Sequence, residues 1–203
     1  MSFKLTTKPS NIDLFKQSYT ESRRRFLRQS GAATFSGTAI AMLSGFSTQS
    51  AFAGQGGEAI EQDIRILNTA ISAEHEAVAA YQLGAESGLL TPGVLKVAVQ
   101  FQGHHKAHID ALSVAVTTLG GESAAAKMDY HFPVEKLKSE ADVLHFAAGL
   151  ERGAVSAYAG AIPIFDDRTL SAAAASILAD EAMHWAVLRN ALGLDAVPGA
   201  FFS

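Results

Sequence analysis

From residue 58 to about residue 90, Ile64, Leu67, Ile71, Glu74, Val78 and Tyr81 recur at spacings of three and four, which places them on one side of a predicted helix. Three more stretches follow the same period, at residues 93–119, 139–162 and 169–192. Their ends are marked. Thr91-Pro92-Gly93 supplies a cap and a proline at the first helical position, and Gly120-Gly121 stops the second helix. Ser139-Glu140-Ala141-Asp142 suits the start of the third helix, and Pro163 with Asp166-Asp167 ends it. Gly193, Pro198 and Gly199 lead into a loose tail. Between residues 122 and 138 the period fades, and Tyr130-His131-Phe132-Pro133 is not helical in pattern. Strand alternation is essentially missing. The pattern predicts an all-α four-helix bundle with a long crossover between helices two and three, and the repeated alanines allow close helix approach.

The predicted helices also repeat one another. Stepping back 77 positions from Leu144, Ala147, Glu151, Ala154, Val155, Ala157 and Tyr158 lands on Leu67, Ala70, Glu74, Ala77, Val78, Ala80 and Tyr81. Stepping back 76 takes Ala174, His184, Leu188 and Ala191 to Ala98, His108, Leu112 and Ala115. Polar positions recur with the apolar positions around them, so the bundle reads as two copies of a helical hairpin. One position breaks the match: Glu181 is answered by His105.

The repeated polar residues carry the candidate chemistry. Glu151 and Tyr158 stand two turns apart on one stripe, and Glu181 and His184 are neighbours on a helix surface. Carboxylate and imidazole thus converge in an alanine-rich core, where burying them unpaired is costly and a metal cation could satisfy them together. One Glu-x-x-His means little alone: with 11 Glu and 7 His in 203 residues it arises by chance roughly 0.4 times. The duplication gives it weight. Tyr81 and Tyr158 read as core residues that hydrogen-bond buried carboxylates. His75 and His104 are expected to point toward solvent. His131 and His145 have no identifiable partner, and Asp142 with His145 reads as a surface pair. The chain lacks a Gly-x-Ser-x-Gly elbow, a phosphate-cradling glycine loop and a dinucleotide fingerprint.

Ahead of the bundle, Ser22-Arg23-Arg24-Arg25-Phe26-Leu27-Arg28 precedes an apolar run of about fifteen residues, short of the roughly twenty that span a bilayer. Small residues then lead to Ala51-Phe52-Ala53, an Ala-x-Ala cleavage pattern. Residues 1–53 resemble a twin-arginine (Tat) export signal, which implies cleavage, a periplasmic or otherwise exported location, and a mature domain at 54–203, with an uncleaved N-terminal anchor as the alternative. The leader holds seven of the 16 basic and two of the 20 acidic residues. The remainder carries nine bases and eighteen acids, a net charge of −9 that argues against nucleic acid or an anionic membrane as partner. With no cysteine in the chain, disulfides, thiolate zinc sites, iron–sulfur clusters and rubredoxin-type iron are excluded.

Glu-x6-Tyr on one helix and Glu-x-x-His on the next, repeated across two hairpins, resembles the ferritin-like superfamily, nearest the erythrin or rubrerythrin type. The resemblance covers most of residues 58–192. It implies a dinuclear site in the bundle core, with two iron ions as first choice or manganese, reacting with oxygen or peroxide; His105 in place of a family glutamate makes zinc, a single iron or no metal more credible than in the family. Carried over position by position, the ligands are Glu74, His108, Glu151, Glu181 and His184, with His105 where the family has a bridging glutamate. Three Glu and three His carry one negative charge fewer than four Glu and two His, which disfavours higher oxidation states. The resemblance further implies an external electron donor and a homodimer. Ferroxidase or peroxidase-like chemistry is the leading expectation. The rival is a non-catalytic, stress-related or structural binding protein of the same fold with a degenerate centre. A storage cage is disfavoured, because the chain shows no sign of the additional short C-terminal helix of cage-forming relatives.

Overall fold

The computed structural model describes residues 56–202; the twin-arginine stretch and its cleavage pattern lie outside them. Four long helices, α1 (Gly56–Glu86), α2 (Pro92–Thr118), α3 (Glu140–Ala161) and α4 (Arg168–Ala191), form an all-α bundle, and among the described residues there is no strand. Short 3-10 turns lie at Val134–Lys136 and Ile162–Ile164. No described helix is long and apolar enough to cross a membrane.

The ends follow local chemistry. Pro92 opens α2, but Thr91 does not cap it with its side chain; the Thr91 amide instead donates to Glu140 at the start of α3. Ser139 caps α3 by accepting from the Asp142 amide, and Asp167 caps α4 by accepting from the Thr169 amide at 2.6 Å. Gly120 ends α2 with φ of 82°, a left-handed conformation that favours glycine. Helix α1 stops at Glu86, four residues short of the sequence expectation: the Ser87 hydroxyl bonds the Gly84 carbonyl at 2.7 Å, and Gly88 turns the chain at φ 71°.

Each hairpin packs mainly on itself, α1 on α2 and α3 on α4, while α1 also meets α3 and α2 meets α4. Two polar residues of α1, the buried Asp63 and the half-buried Asn68, pin the connections. Asp63 accepts from the Asp166 and Asp167 amides at 2.9 and 3.0 Å, tying the α3–α4 turn to α1. Asn68 bonds the Glu122 carbonyl and the Ala124 amide, fixing the start of the crossover. The core forms two apolar layers. One contains Leu67, Ile71, Leu112, Val116, Leu170 and Ile177; the other contains Phe101, Leu144, Ala148 and Leu188. Burying a Leu or Ile contributes about 1.5–3 kcal/mol, so these layers outweigh the cost of the polar residues gathered between them.

Candidate metal centre

Glu74 on α1, His105 and His108 on α2, Glu151 on α3, and Glu181 and His184 on α4 meet in the middle of the bundle, each at most 8 % exposed. All six residues singled out in the sequence are therefore brought together. They form two overlapping groups, Glu74–His105–His108–Glu181 and His105–Glu151–Glu181–His184, with ligand atoms within 4.8 Å of one another in each. His105 and Glu181 belong to both.

Helix periodicity places these side chains, and the antiparallel meeting of α1 and α3 couples them. Glu74 and Tyr81 lie seven residues apart, about 10.5 Å along the helix, as do Glu151 and Tyr158. The antiparallel arrangement sets the tyrosine of each helix against the glutamate of the other. Tyr158 donates to Glu74 Oε1 at 2.6 Å, and Tyr81 donates to Glu151 Oε1. Burial, reinforced by the adjacent carboxylate, pushes both phenols up, so they remain O–H donors. The expectation that these tyrosines hold buried carboxylates is met.

His105 lies between the two glutamates, with Nδ1 2.8 Å from Glu74 Oε2 and Nε2 3.3 Å from Glu151 Oε1. Burial alone would lower its pKa, but the Glu151 and Glu74 carboxylates outweigh burial and raise it to about 9. Glu74 is held down at about 2: burial opposes this, and the His105 and His108 imidazoles overcome it. Burial likewise works against the charge of His108 and His184. Asp180 and the glutamates beside them prevail, raising these imidazoles to about 12 and about 11. Glu181 moves the other way. Burial, helped by Glu151 and Glu74, lifts its pKa although His108 and His184 pull it down.

The donor set fits a cation. His108 Nδ1, His184 Nδ1, Glu151 Oε2 and both Glu181 oxygens are buried and make no hydrogen bond. Glu181 turns Oε1 to His108 Nδ1 at 3.1 Å and Oε2 to His184 Nδ1 at 3.3 Å, distances of contact without hydrogen-bond alignment. Unpaired polar atoms converging in a dry interior are costly, and a shared metal ligand relieves that cost.

Two residues beyond the sequence-derived set complete the arrangement. Asp180 Oδ2 lies 3.3 Å from His108 Nε2 and 3.2 Å from His184 Nε2, facing the far nitrogens of both imidazoles. It can thereby hold the N–H on Nε2 and leave Nδ1 as the lone pair directed inward. His104, expected to face solvent, instead lies half-exposed with Nδ1 3.1 Å from Asp180 Oδ2 and 2.9 Å from His184 Nε2. Stepping back 76 positions from Asp180 gives His104, and each sits four residues before a histidine of the centre. That spacing was the available signal. His145 is exposed, in keeping with the surface reading.

Access differs on the two sides. Between α1 and α3 runs a groove of about 570 Å³, walled by small residues such as Ala73, Ala77, Gly153 and Ala157, and it reaches Glu74, His105, Glu151 and Tyr158. Between α2 and α4 the side chains next to the centre are His104 and Asp180.

Against this geometry, the family model described as "Ferritin-like domain" matches residues 62–194, and the chain belongs to that family. Among solved structures the chain is similar to a conserved hypothetical protein from Mycobacterium tuberculosis. The identity is 22 % and the TM-score 0.60, over 70 % of this chain and 97 % of that one, a likeness that speaks to fold alone. No curated protein matches the sequence significantly.

Proposed function

We propose that this is an exported ferritin-like protein whose core binds two metal ions, iron as first choice or manganese, for redox chemistry on oxygen or peroxide; zinc, the remaining alternative, would occupy the site without redox activity. The observation that carries the reading is Glu181, whose two hydrogen-bond-free oxygens each face a different imidazole Nδ1. Glu74 and His108 would hold one position, Glu151 and His184 the other, and Glu181 would span both. Iron or manganese so held would supply electrons to the oxidant and Lewis acidity to its oxygen atoms.

The protein's own groups set the conditions. Tyr81 and Tyr158 fix one oxygen of Glu151 and Glu74 and leave the other to turn inward. Asp180 orients His108 and His184 through their Nε2 atoms. The apolar α1/α3 groove suits a small neutral oxidant such as peroxide or dioxygen better than an anion. Without cysteine for a rubredoxin-type centre, electrons return from an external donor. Export by the twin-arginine route would carry the domain across the membrane already folded.

The test is metal content by elemental mass spectrometry on protein purified from its exported compartment, followed by ferroxidase and peroxidase assays. About two ions per chain, lost on Glu181→Ala with His184→Ala, is the expected result; unchanged stoichiometry in that variant sinks the assignment. A second reading has one observation in its favour. His105 hydrogen-bonds both Glu74 and Glu151, so it can neutralise them without metal, as a non-catalytic binding or stress-related protein would require. That reading gains if a chelator leaves the melting curve unchanged.

A further inference from the structure

The ligand atoms of the buried centre are nearly closed to solvent, and a hydrated cation needs a way in. The α1/α3 groove is lined mostly by alanine, glycine and aliphatic side chains; besides the centre's own residues it presents only Thr69 and the lone carboxylate of Glu76, with no imidazole beside them. The α2/α4 side differs. His104 and Asp180 have side chains 37 % and 24 % exposed, while His184 behind them is 2 % exposed. His104 Nδ1, Asp180 Oδ2 and His184 Nε2 form a triangle with edges of 2.9, 3.1 and 3.2 Å. One face of a tetrahedral site with bonds of about 2.0–2.2 Å has edges of about 3.4 Å. An ion would thus need the three atoms to part by a few tenths of an ångström, and the solvent side leaves room for water as fourth ligand. Two imidazoles and one carboxylate suit zinc, ferrous iron or cobalt better than calcium or magnesium.

We propose that His104, Asp180 and the outward Nε2 of His184 form a loading site, which takes a divalent transition-metal ion from solvent before it passes to the buried centre. The proposal rests on the reading of that centre given above. His184 connects the two sites and makes them alternate. Its Nδ1 faces Glu151 and Glu181, whereas its Nε2 faces the triangle. A neutral imidazole has one lone pair, so His184 serves the outer ion or the inner ion but not both. Once Nδ1 is engaged within, Nε2 carries the proton toward Asp180 and the outer site loses a ligand. The loading site is therefore dismantled behind the ion, and the filled protein holds two ions, not three.

The experiment uses Co(II) as probe on metal-free protein, following visible absorption by stopped flow and final stoichiometry by equilibrium titration. His104→Ala is expected to slow filling by about tenfold or more while leaving two ions per chain at the end. Filling at the wild-type rate overturns the proposal. A second variant, Glu74→Gln with Glu151→Gln, weakens the buried centre and leaves the triangle whole. It should bind one Co(II), lost when His104→Ala is added; no Co(II) in that background also overturns the proposal. A wild type that binds a single, His104-dependent ion defeats the buried-centre reading while sustaining the outer site, so the two failures are distinguishable.

Discussion

Helices α1 and α3 are close copies, whereas α2 and α4 have diverged, and the divergence falls on the faces they turn to each other. Glu74 and Tyr81 of the first hairpin match Glu151 and Tyr158 of the second in residue type and in role, since each tyrosine holds the other hairpin's glutamate. On the other pair, Asp180-Glu181 of α4 corresponds to His104-His105 of α2. The changed residues face their own counterparts, with His104 3.1 Å from Asp180 and His105 3.5 Å from Glu181. If α2 carried the same acidic pair as α4, carboxylate would confront carboxylate at both levels, a costly arrangement in a dry core unless cations intervene. Acid–imidazole pairs lower that cost. One side of this centre is symmetric, whereas the other sets imidazole against acid, an arrangement that lowers the cost of the core without metal.

The largest expected effect comes from separating the halves of the centre. Removing Glu181 and His184 together should abolish binding at both positions, because Glu181 belongs to both. His108→Ala should spare the position formed by Glu151, Glu181 and His184, so elemental analysis should find one ion per chain. Loss of both ions from His108→Ala would show that the halves do not act separately.

Restoring the symmetry is the next test. His105→Glu gathers a fourth carboxylate beside Glu74, Glu151 and Glu181. The metal-free protein should lose about 3 kcal/mol or more, the cost of leaving buried charge unpaired. Metal should then raise its melting temperature by more than it raises that of the wild type. A metal-free variant as stable as the wild type would mean that His105 does not neutralise the glutamates.

The pH dependence follows from the imidazoles. At pH 7 the metal-free core holds protons on His105, His108 and His184, whose pKa values lie at about 9, 12 and 11. Metal must displace them, so binding releases protons and apparent affinity rises with pH. Calorimetry in buffers of different ionisation enthalpy measures that release, and no release would contradict the charged core. Metal-free stability has the opposite sign. The raised His105 pKa contributes stability in full below about 6.5, and this is lost as pH rises through about 9. The lowered pKa of Glu74 contributes above about 4.5, and this is lost as pH falls toward about 2.

The smallest effects probe the symmetric side. Tyr81→Phe and Tyr158→Phe each remove a buried hydrogen bond to a carboxylate and should each cost about 1.5–3 kcal/mol. Denaturant unfolding should give nearly equal losses for the two. Clearly unequal losses would show that the pairs are alike in geometry only.

The fold was legible because helices advertise themselves by period and punctuation: Ser139 and Gly120 act where they were expected to. Spacings of three, four and seven set the face and height of Glu74, His105, His108, Glu151, Glu181 and His184, and a shared face at one level was enough to bring all six together. His104 was misjudged and Asp180 passed over because period gives a residue's direction from its own axis only to within one side-chain width. Whether an edge position meets water or a neighbouring helix depends on how closely and at what angle that helix packs.

By itself, then, the sequence determined four helices, their duplication, the level of the polar layer and the six residues in it, all consequences of backbone geometry acting along one chain. Only the tertiary structure decided the exchange of tyrosines between hairpins, Asp180 behind two imidazoles, the outward triangle at His104, and the apolar groove on the opposite side. Each depends on the antiparallel register and separation of helices distant in sequence, which arise from packing the whole core at once.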